Sequence, residues 1–310
     1  MPEWLYEGGI GENRAALVDG DEIVEAAIEL DDGALRVGHV ARARLIDRHA
    51  GRVRLEDGRE AQLQGAPGVP EGGALAIAIT REAVPEPGRT KPPRAVPTDA
   101  APRPGPDLLA RVTATGVPVR HCRAHEPDAL EEAGWSELLE EATSGEIAFP
   151  DGALRMTPTP AMTLFDVDGG PPLEPLAIRA AQAVARAIRR HAIGGSIGID
   201  FPTLPGKAAR QAVAEALDRY LPPPFERTAM NGFGFLQIVR PRPRASLPEL
   251  LRADPAGAAA RALMRRLERE PPGSPSLHRV RPGVLARLQS RPDWLAELTR
   301  RTGVVHRFEA

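Results

Sequence analysis

Apolar and polar positions along the chain change period several times, and each change marks an element. Met162–Val167 is an apolar run broken by Asp166 and followed by Asp168-Gly169-Gly170, which predicts a strand and a turn. From about Leu176, the residues Ile178, Ala181, Val184, Ala185 and Ile188 recur at the spacing of one helix face, and Gly194-Gly195 ends that helix. Ile197–Phe201 is a second apolar run, ending in Asp200 before Pro202. A strand–helix–strand unit of this length predicts parallel strands joined by a right-handed crossover. Parallel strands deliver their carboxyl ends to one edge, where open α/β sheets place ligands. If the two strands are neighbours, about 4.8 Å apart, Asp166 and Asp200 face one another.

The alternation before this unit is strand-like. Ala15–Val18 and Glu22–Ile28 flank an Asp19-Gly20 turn, a hairpin signal. Val37–Leu45, Arg52–Leu55, Glu60–Leu63 and Ala74–Ile79 continue as short strands, and their regular spacing predicts a small barrel, of OB-fold type by first choice. Pro85–Pro106 is dense in proline and predicts a linker or exposed loop. Asp107–Thr115 predicts a short helix and Asp128–Thr143 an amphipathic one, with Leu130, Trp135, Leu138 and Leu139 inward. Ile147–Phe149 and Ala153–Met156 flank Pro150-Asp151-Gly152 as a hairpin. Beyond Asp200, Lys207–Tyr220 reads as a helix, Phe225–Thr228 and Phe233–Val239 as strands. Ala256–Ala310 reads as a separate small unit for packing or dimerisation, with helices at 258–270, 282–289 and 292–301 and strands at 277–280 and 304–308.

Composition narrows the function classes. The 310 residues are 42% hydrophobic, enough for packed cores, but only 4% aromatic. A net charge of −2 gives no global basic field, so any nucleic-acid surface must come from local arginine clusters. One cysteine, Cys122, excludes an internal disulfide framework and a four-cysteine zinc site within one chain, which fits a reducing cytoplasm. MPEWLYEGG lacks the pattern of a signal peptide, and no apolar run approaches the ~20 residues of a membrane span. No membrane partner is expected.

Three places carry candidate chemistry. Asp166 and Asp200, side by side, repel unless a cation or proton lies between them. Such oxygen ligands suit Mg²⁺, which takes one or two carboxylates and keeps waters for substrate phosphate. The competing reading is helix capping, since each Asp precedes a loop and a helix. Arg240, Arg242 and Arg244 alternate, so in an extended chain their guanidiniums share one face and match phosphate oxygens; a solvated basic loop is the alternative. Arg42, Arg44, Arg48, Arg52 and Arg54 give the barrel either an RNA-contacting or a merely solvated arginine face, and no aromatic residue occurs from Gly33 to Pro97. His121-Cys122-Arg123-Ala124-His125 has no partner pair at zinc spacing and reads as a strand edge.

Four stretches together resemble the catalytic half of the ribonuclease E/G endoribonucleases. Ala15-Ala-Leu-Val-Asp19-Gly20 is similar to the family's opening strand and turn. Asp166-Val-Asp168 stands where the family has its Asp-Val-Asn metal motif. Gly194-Gly-Ser-Ile-Gly-Ile-Asp200-Phe201 resembles the motif carrying the second metal Asp, and Phe233-Gly-Phe-Leu-Gln-Ile238 with Arg240, Arg242, Arg244, Ser246 and Leu247 resembles the Phe-Gly strand and its arginine run. The likeness is closest over Ile147–Leu247.

The resemblance implies an α/β multidomain fold. An RNase H-like segment (1–35 and 107–156) is split by an OB-fold-like barrel (36–84) and a proline-rich linker (85–106). A deoxyribonuclease-I-like α/β catalytic domain (157–250) and a small α/β domain (256–310) follow. It implies Mg²⁺-dependent cleavage of single-stranded, A/U-rich RNA in rRNA processing or mRNA decay, in the cytoplasm, leaving 5′-phosphate ends. Asp166 and Asp200 would bind the ion, Asp168 would hold one of its waters or add a third ligand, and Arg240, Arg242 and Arg244 would hold flanking phosphates. Arg189 matches a family arginine but reads equally as an exposed helix residue. The family's 5′-monophosphate sensor segment and Cys-Pro-x-Cys zinc link have no counterpart, so a homodimer would not be zinc-bridged. Asp168 replaces the motif Asn, and Gln237 the Glu of the Phe-Gly strand. A catalytically degenerate member that binds RNA or ribosomes is the alternative, and a protein-binding scaffold a third.

Overall fold

A computed structural model describes residues 1–310 except Ala66, Pro67, Pro87 and Pro272. In chain order the strands β1 (Glu3–Gly8), β2 (Glu12–Asp19) and β3 (Glu22–Leu30) open the molecule. The strands β4 (Val40–Asp47), β5 (Arg52–Leu55), β6 (Glu60–Leu63), β7 (Ala74–Arg81), β8 (Val84–Glu86), β9 (Arg89–Lys91) and β10 (Arg94–Pro97) follow. Then come α1 (Leu108–Thr113), β11 (Val119–His121), α2 (Ala129–Glu132), α3 (Trp135–Ser144), β12 (Glu146–Phe149) and β13 (Gly152–Pro158). The central stretch is β14 (Thr163–Gly169), α4 (Leu173–Arg190), β15 (Gly195–Asp200), α5 (Lys207–Tyr220), β16 (Glu226–Arg227) and β17 (Phe235–Arg240). The chain ends with α6 (Leu247–Ala253), α7 (Pro255–Glu268), β18 (Leu277–Arg279), α8 (Pro282–Gln289), α9 (Pro292–Thr302) and β19 (Arg307–Glu309).

These elements form two compact units, Met1–Gly33 with Leu108–Trp135 and Leu251–Ala310, and Ala34–Asp107 with Ser136–Leu250. In the first, the sheet β11-β1-β2-β3 buries Trp4, Ala15 and Leu17 against Leu108 and Val112 of α1. The C-terminal helices do not stand apart as expected. Ile10 lies in one core with Leu263, Met264, Leu288, Trp294 and Leu298, and a Cβ on Gly11, at φ +77°, would sit 2.4 Å from the Trp294 ring. A buried ionic cluster joins the same elements. Arg14, 1% exposed, pairs with Glu7 at 2.7 Å and Glu12 at 2.9 Å. Arg261 reaches Glu12 at 2.6 Å, while Arg265 and Arg269 reach Glu7 at 2.8 and 2.6 Å. Burial alone would raise the Glu7 pKa, but the Arg14 and Arg265 charges and hydrogen bonds from Arg269 and Arg265 outweigh it and hold it below its usual 4.5.

In the second unit, β10-β6-β5-β4-β7 close a five-stranded barrel around Leu45, Val53, Ile77 and Ile79. The expected linker at 85–106 is corrected here. Apart from Pro87, which is outside the described residues, it holds most of the β8–β9 hairpin and β10, and β10 closes the barrel against β6 and β7. The strands tolerate proline because Pro85 lies in the small two-stranded β8–β9 sheet and Pro97 ends β10. The helix expected at 128–143 is two, because Gly134 at φ +93° breaks the pattern between α2 and α3. Strands β12 and β13, expected with the split segment, instead extend the second unit's sheet, β12-β13-β14-β15-β17-β16. One face of that sheet packs Phe165, Ile197, Ile199, Leu236 and Ile238 against Ala181, Val184, Ile188, Val213 and Leu217 of α4 and α5. Alternation sends the intervening side chains to the opposite, open face. No helix among the described residues is long and apolar enough to cross a membrane.

Two outcomes follow for the buried ionic cluster. Arg14→Met leaves Glu7 and Glu12 without their shared partner and should lower the unfolding free energy by about 3–5 kcal/mol in urea titration. Arg54→Met, at an exposed pair with Glu60, should change it by under about 0.5 kcal/mol; equal losses would contradict this account. Because the folded pKa of Glu7 is depressed, its contribution is present above about pH 4.5 and is lost as the pH falls through the folded value. Glu7→Gln should therefore flatten the acid limb of a stability–pH curve.

Candidate functional site

The predicted strand–helix–strand unit is present, with β14 and β15 parallel and adjacent. The register pairs Leu164 with Gly198 and Asp166 with Asp200. Residues paired in adjacent strands project to the same face, so the two carboxylates stand side by side on the open face, both exposed. Asp168 lies on that face two positions along β14. No hydrogen bond or ion pair engages the side chains of Asp166, Asp168 or Asp200 among the described residues. Arg155, opposite Asp166 across β13–β14, has Glu146 as its ion-pair partner, at 3.8 Å.

The helix-capping reading is not what the fold does with these residues. The N-cap of α4 is Pro172 and that of α5 is Gly206, and neither has a side-chain cap bond. Both Asp166 and Asp200 are strand residues instead. Two unpaired carboxylates in register are a donor set that fits a hard divalent cation, which takes one or two carboxylates and completes its shell with water and phosphate. No group of three His, Cys, Asp or Glu among the described residues converges as a metal cluster. Asp168 therefore does not join the pair as a third convergent ligand.

The floor of the open face is apolar. Phe235 pairs with Asp200 across β15–β17, and its ring crosses Gly198, where a Cβ would lie 2.7 Å from Phe235 and 2.9 Å from Leu164. The Gly194-Gly195 pair has its own cause. A Cβ on Gly194 would meet the Pro241 carbonyl at 2.5 Å, and Gly195 has φ +84°.

The arginines behave differently from one another. Strand β17 ends at Arg240, so the alternating run is not an extended ribbon. Arg242 is ion-paired with Glu249, and Arg244 with Glu82 at 3.0 Å. Both are tied into the fold, which corrects their reading as one face of free guanidiniums. Arg240 and Arg189 are half-buried and each has a partner within the chain. On the barrel, Arg52 and Arg54 pair with Asp47 and Glu60, and Arg44 donates to the Gly72 carbonyl.

A cationic cleft of about 570 Å³ opens beside the amino-terminal end of β15, lined by Arg81, Lys91, Arg94, Ser196, Arg240 and Arg242 among others. The sequence did not point to it. The β7–β10 register sets Arg94 directly opposite Arg81, a like-charge pair that costs stability. Arg81 donates to the Pro92 carbonyl at 2.8 Å, while its buried Nε has no partner among the described residues. Burial, then the Arg94 and Arg242 charges, pull the Arg81 pKa below its usual value, against Glu86. Arg94 has no acidic partner among the described residues. The signal was Arg81 just before the proline-rich stretch and Arg94 within it, visible only once part of that stretch is recognised as barrel strand.

Comparison with known proteins agrees with the motifs. The chain matches the Ribonuclease E/G family over residues 108–243. Ribonuclease G of Escherichia coli (strain K12) is 31% identical over 112 residues, covering 32% of this chain and 23% of that protein. Ribonuclease G of Shigella flexneri and of Salmonella typhimurium (strain SL1344) match to the same extent. The match spans less than a quarter of the length of these curated relatives. Residues 108–243, which include the in-register Asp166–Asp200 pair, are thus the part of the chain that is similar to the ribonuclease E/G family.

Proposed function

We propose that this protein is a Mg²⁺-dependent endoribonuclease acting on single-stranded RNA. The observation that carries the reading is the register of Asp166 against Asp200 on an open sheet face, with no partner for either among the described residues. Asp166 and Asp200 would hold the ion. When bound, Mg²⁺ supplies charge to the phosphate and lowers the pKa of an attacking water. Asp168, on the same face, would accept a hydrogen bond from the attacking water and orient it. Water would add to phosphorus as the bond to the 3′ oxygen breaks, the water giving up a proton and the leaving 3′ oxygen taking one from solvent, so that the products carry a 5′ phosphate and a 3′ hydroxyl. The cleft bearing Arg81, Arg94 and Arg240 holds phosphates of the same strand a few nucleotides away, since Gly195 and Asp200 lie about 16 Å apart along β15.

The preference for A/U-rich RNA and a role in rRNA processing or mRNA decay belong to this proposal through family likeness, as does the assignment of the two sheets to RNase H-like and deoxyribonuclease-I-like domains. A second reading, binding without cutting, draws on one observation. The barrel carries no aromatic residue from Gly33 to Pro97, so it has no base-stacking platform of its own.

A fluorescent A/U-rich oligoribonucleotide should be cut by the wild type with Mg²⁺ and spared with EDTA. Asp200→Asn should bind it with near wild-type affinity and leave it whole. Binding without Mg²⁺-dependent cutting by the wild type would favour the second reading. Phosphate contacts also predict a salt signature. Arg81→Gln and Arg94→Gln should each flatten the slope of log Kd against log salt by about 0.7, and unchanged slopes would remove the cleft from the binding surface.

A further inference from the structure

The hairpin between β16 and β17 presents an aromatic ring to solvent beside the carboxylate pair. Phe233 is 85% exposed, the most exposed aromatic residue among the described residues, in a chain with only seven phenylalanines. Its backbone, by contrast, is held from several sides. The Asn231 side chain accepts from the Phe233 and Phe235 amides at 2.9 and 3.0 Å. The Asn231 amide donates to the Phe235 carbonyl at 2.9 Å, and Phe201 donates to the Gly234 carbonyl at 3.1 Å. Thr203 donates its hydroxyl to the Phe233 carbonyl at 3.3 Å. Gly234 has φ +98°, and a Cβ there would collide with the Phe201 carbonyl oxygen. A rigid turn that leaves a large apolar ring uncovered has no folding benefit from that ring.

The location is specific. Phe235 is the register partner of Asp200, so Phe233 lies two residues, at most about 7 Å, from the strand position opposite a carboxylate of the pair. We propose that Phe233 is a base-stacking residue, holding an unpaired nucleobase of the RNA next to the phosphate that lies at Asp166 and Asp200. The inference rests on the proposed function and adds a positioning residue to it. A ring face takes any base, so the contact fixes distance along the strand and not sequence. It also supplies the stacking surface that the barrel lacks, and selects against duplex RNA, whose bases are already stacked.

The test uses the full chain and an oligoribonucleotide carrying 2-aminopurine at successive positions. Binding is measured in EDTA at low salt, so it does not depend on cleavage. Wild type should quench 2-aminopurine at one position adjacent to the cut site. Phe233→Ala should abolish that quench and raise Kd roughly tenfold, with Phe233→Leu behaving as Ala and Phe233→Tyr restoring both. With Mg²⁺, the loss should appear in KM more than in kcat. Because the ring is uncovered, all three variants should melt at the wild-type temperature. If Phe233→Ala binds and quenches as the wild type does, or if Phe233→Leu keeps full affinity, stacking is overturned while wild-type cutting still supports the nuclease reading. If the wild type binds no RNA at low salt, both fall.

Discussion

The register between β14 and β15 is the constraint on which the site depends. Phe165, Ile197 and Ile199 must face α4 and α5, so Asp166 and Asp200 must face the other way. A slip of one residue in either strand would turn its apolar set to water and its carboxylate into the core. The core therefore enforces an arrangement that electrostatics disfavours, two negative charges side by side with no ion-pair partner for either among the described residues. Arg155 is the basic residue placed to relieve it, and its ion pair is with Glu146. Hydrophobic burial holds open a charge imbalance, and in the proposed function a divalent ion and a phosphate resolve it.

The same logic appears with opposite sign in the cleft. Arg81 and Arg94 are forced opposite one another by barrel closure, and the apolar barrel core of Ile77, Ile79 and Ala95 fixes that pairing. Carboxylates and a guanidinium without a partner among the described residues, Asp166 with Asp200 and Arg94, thus lie at the two ends of β15. By contrast, the densest set of charges in the molecule, around Glu7, Glu12 and Arg14, is buried and mutually satisfied. Pairing distinguishes a structural cluster from surfaces that have something left to bind.

Much of this was legible in the sequence because it depends on local periodicity. The β14–α4–β15 unit, the helix at Lys207–Tyr220 and the facing of Asp166 and Asp200 all followed from runs and spacing. What failed depended on distant contacts. The stretch around Arg94 reads as linker because its prolines dominate, yet a strand of four residues suffices when β6 and β7 are there to receive it. The C-terminal helices read as independent because nothing local announces that Ile10 will enter their core, or that Glu12 and Glu7 will meet Arg261 and Arg265. Arg242 and Arg244 read as free because their partners, Glu249 and Glu82, come from a following helix and from the barrel. Gly194 gives a further instance. Its punctuation of the helix is local, but its need to be glycine comes from the Pro241 carbonyl that packs on it.

The central claim is that the Asp166–Asp200 pair binds a divalent ion in the absence of RNA. The direct measurement is anomalous diffraction at the manganese edge from crystals soaked in Mn²⁺, a Mg²⁺ surrogate with the same preference for oxygen ligands. The account predicts one strong peak in contact with an oxygen of each carboxylate, lost in crystals of Asp200→Asn. A peak elsewhere, or none at this pair at saturating Mn²⁺, would contradict it.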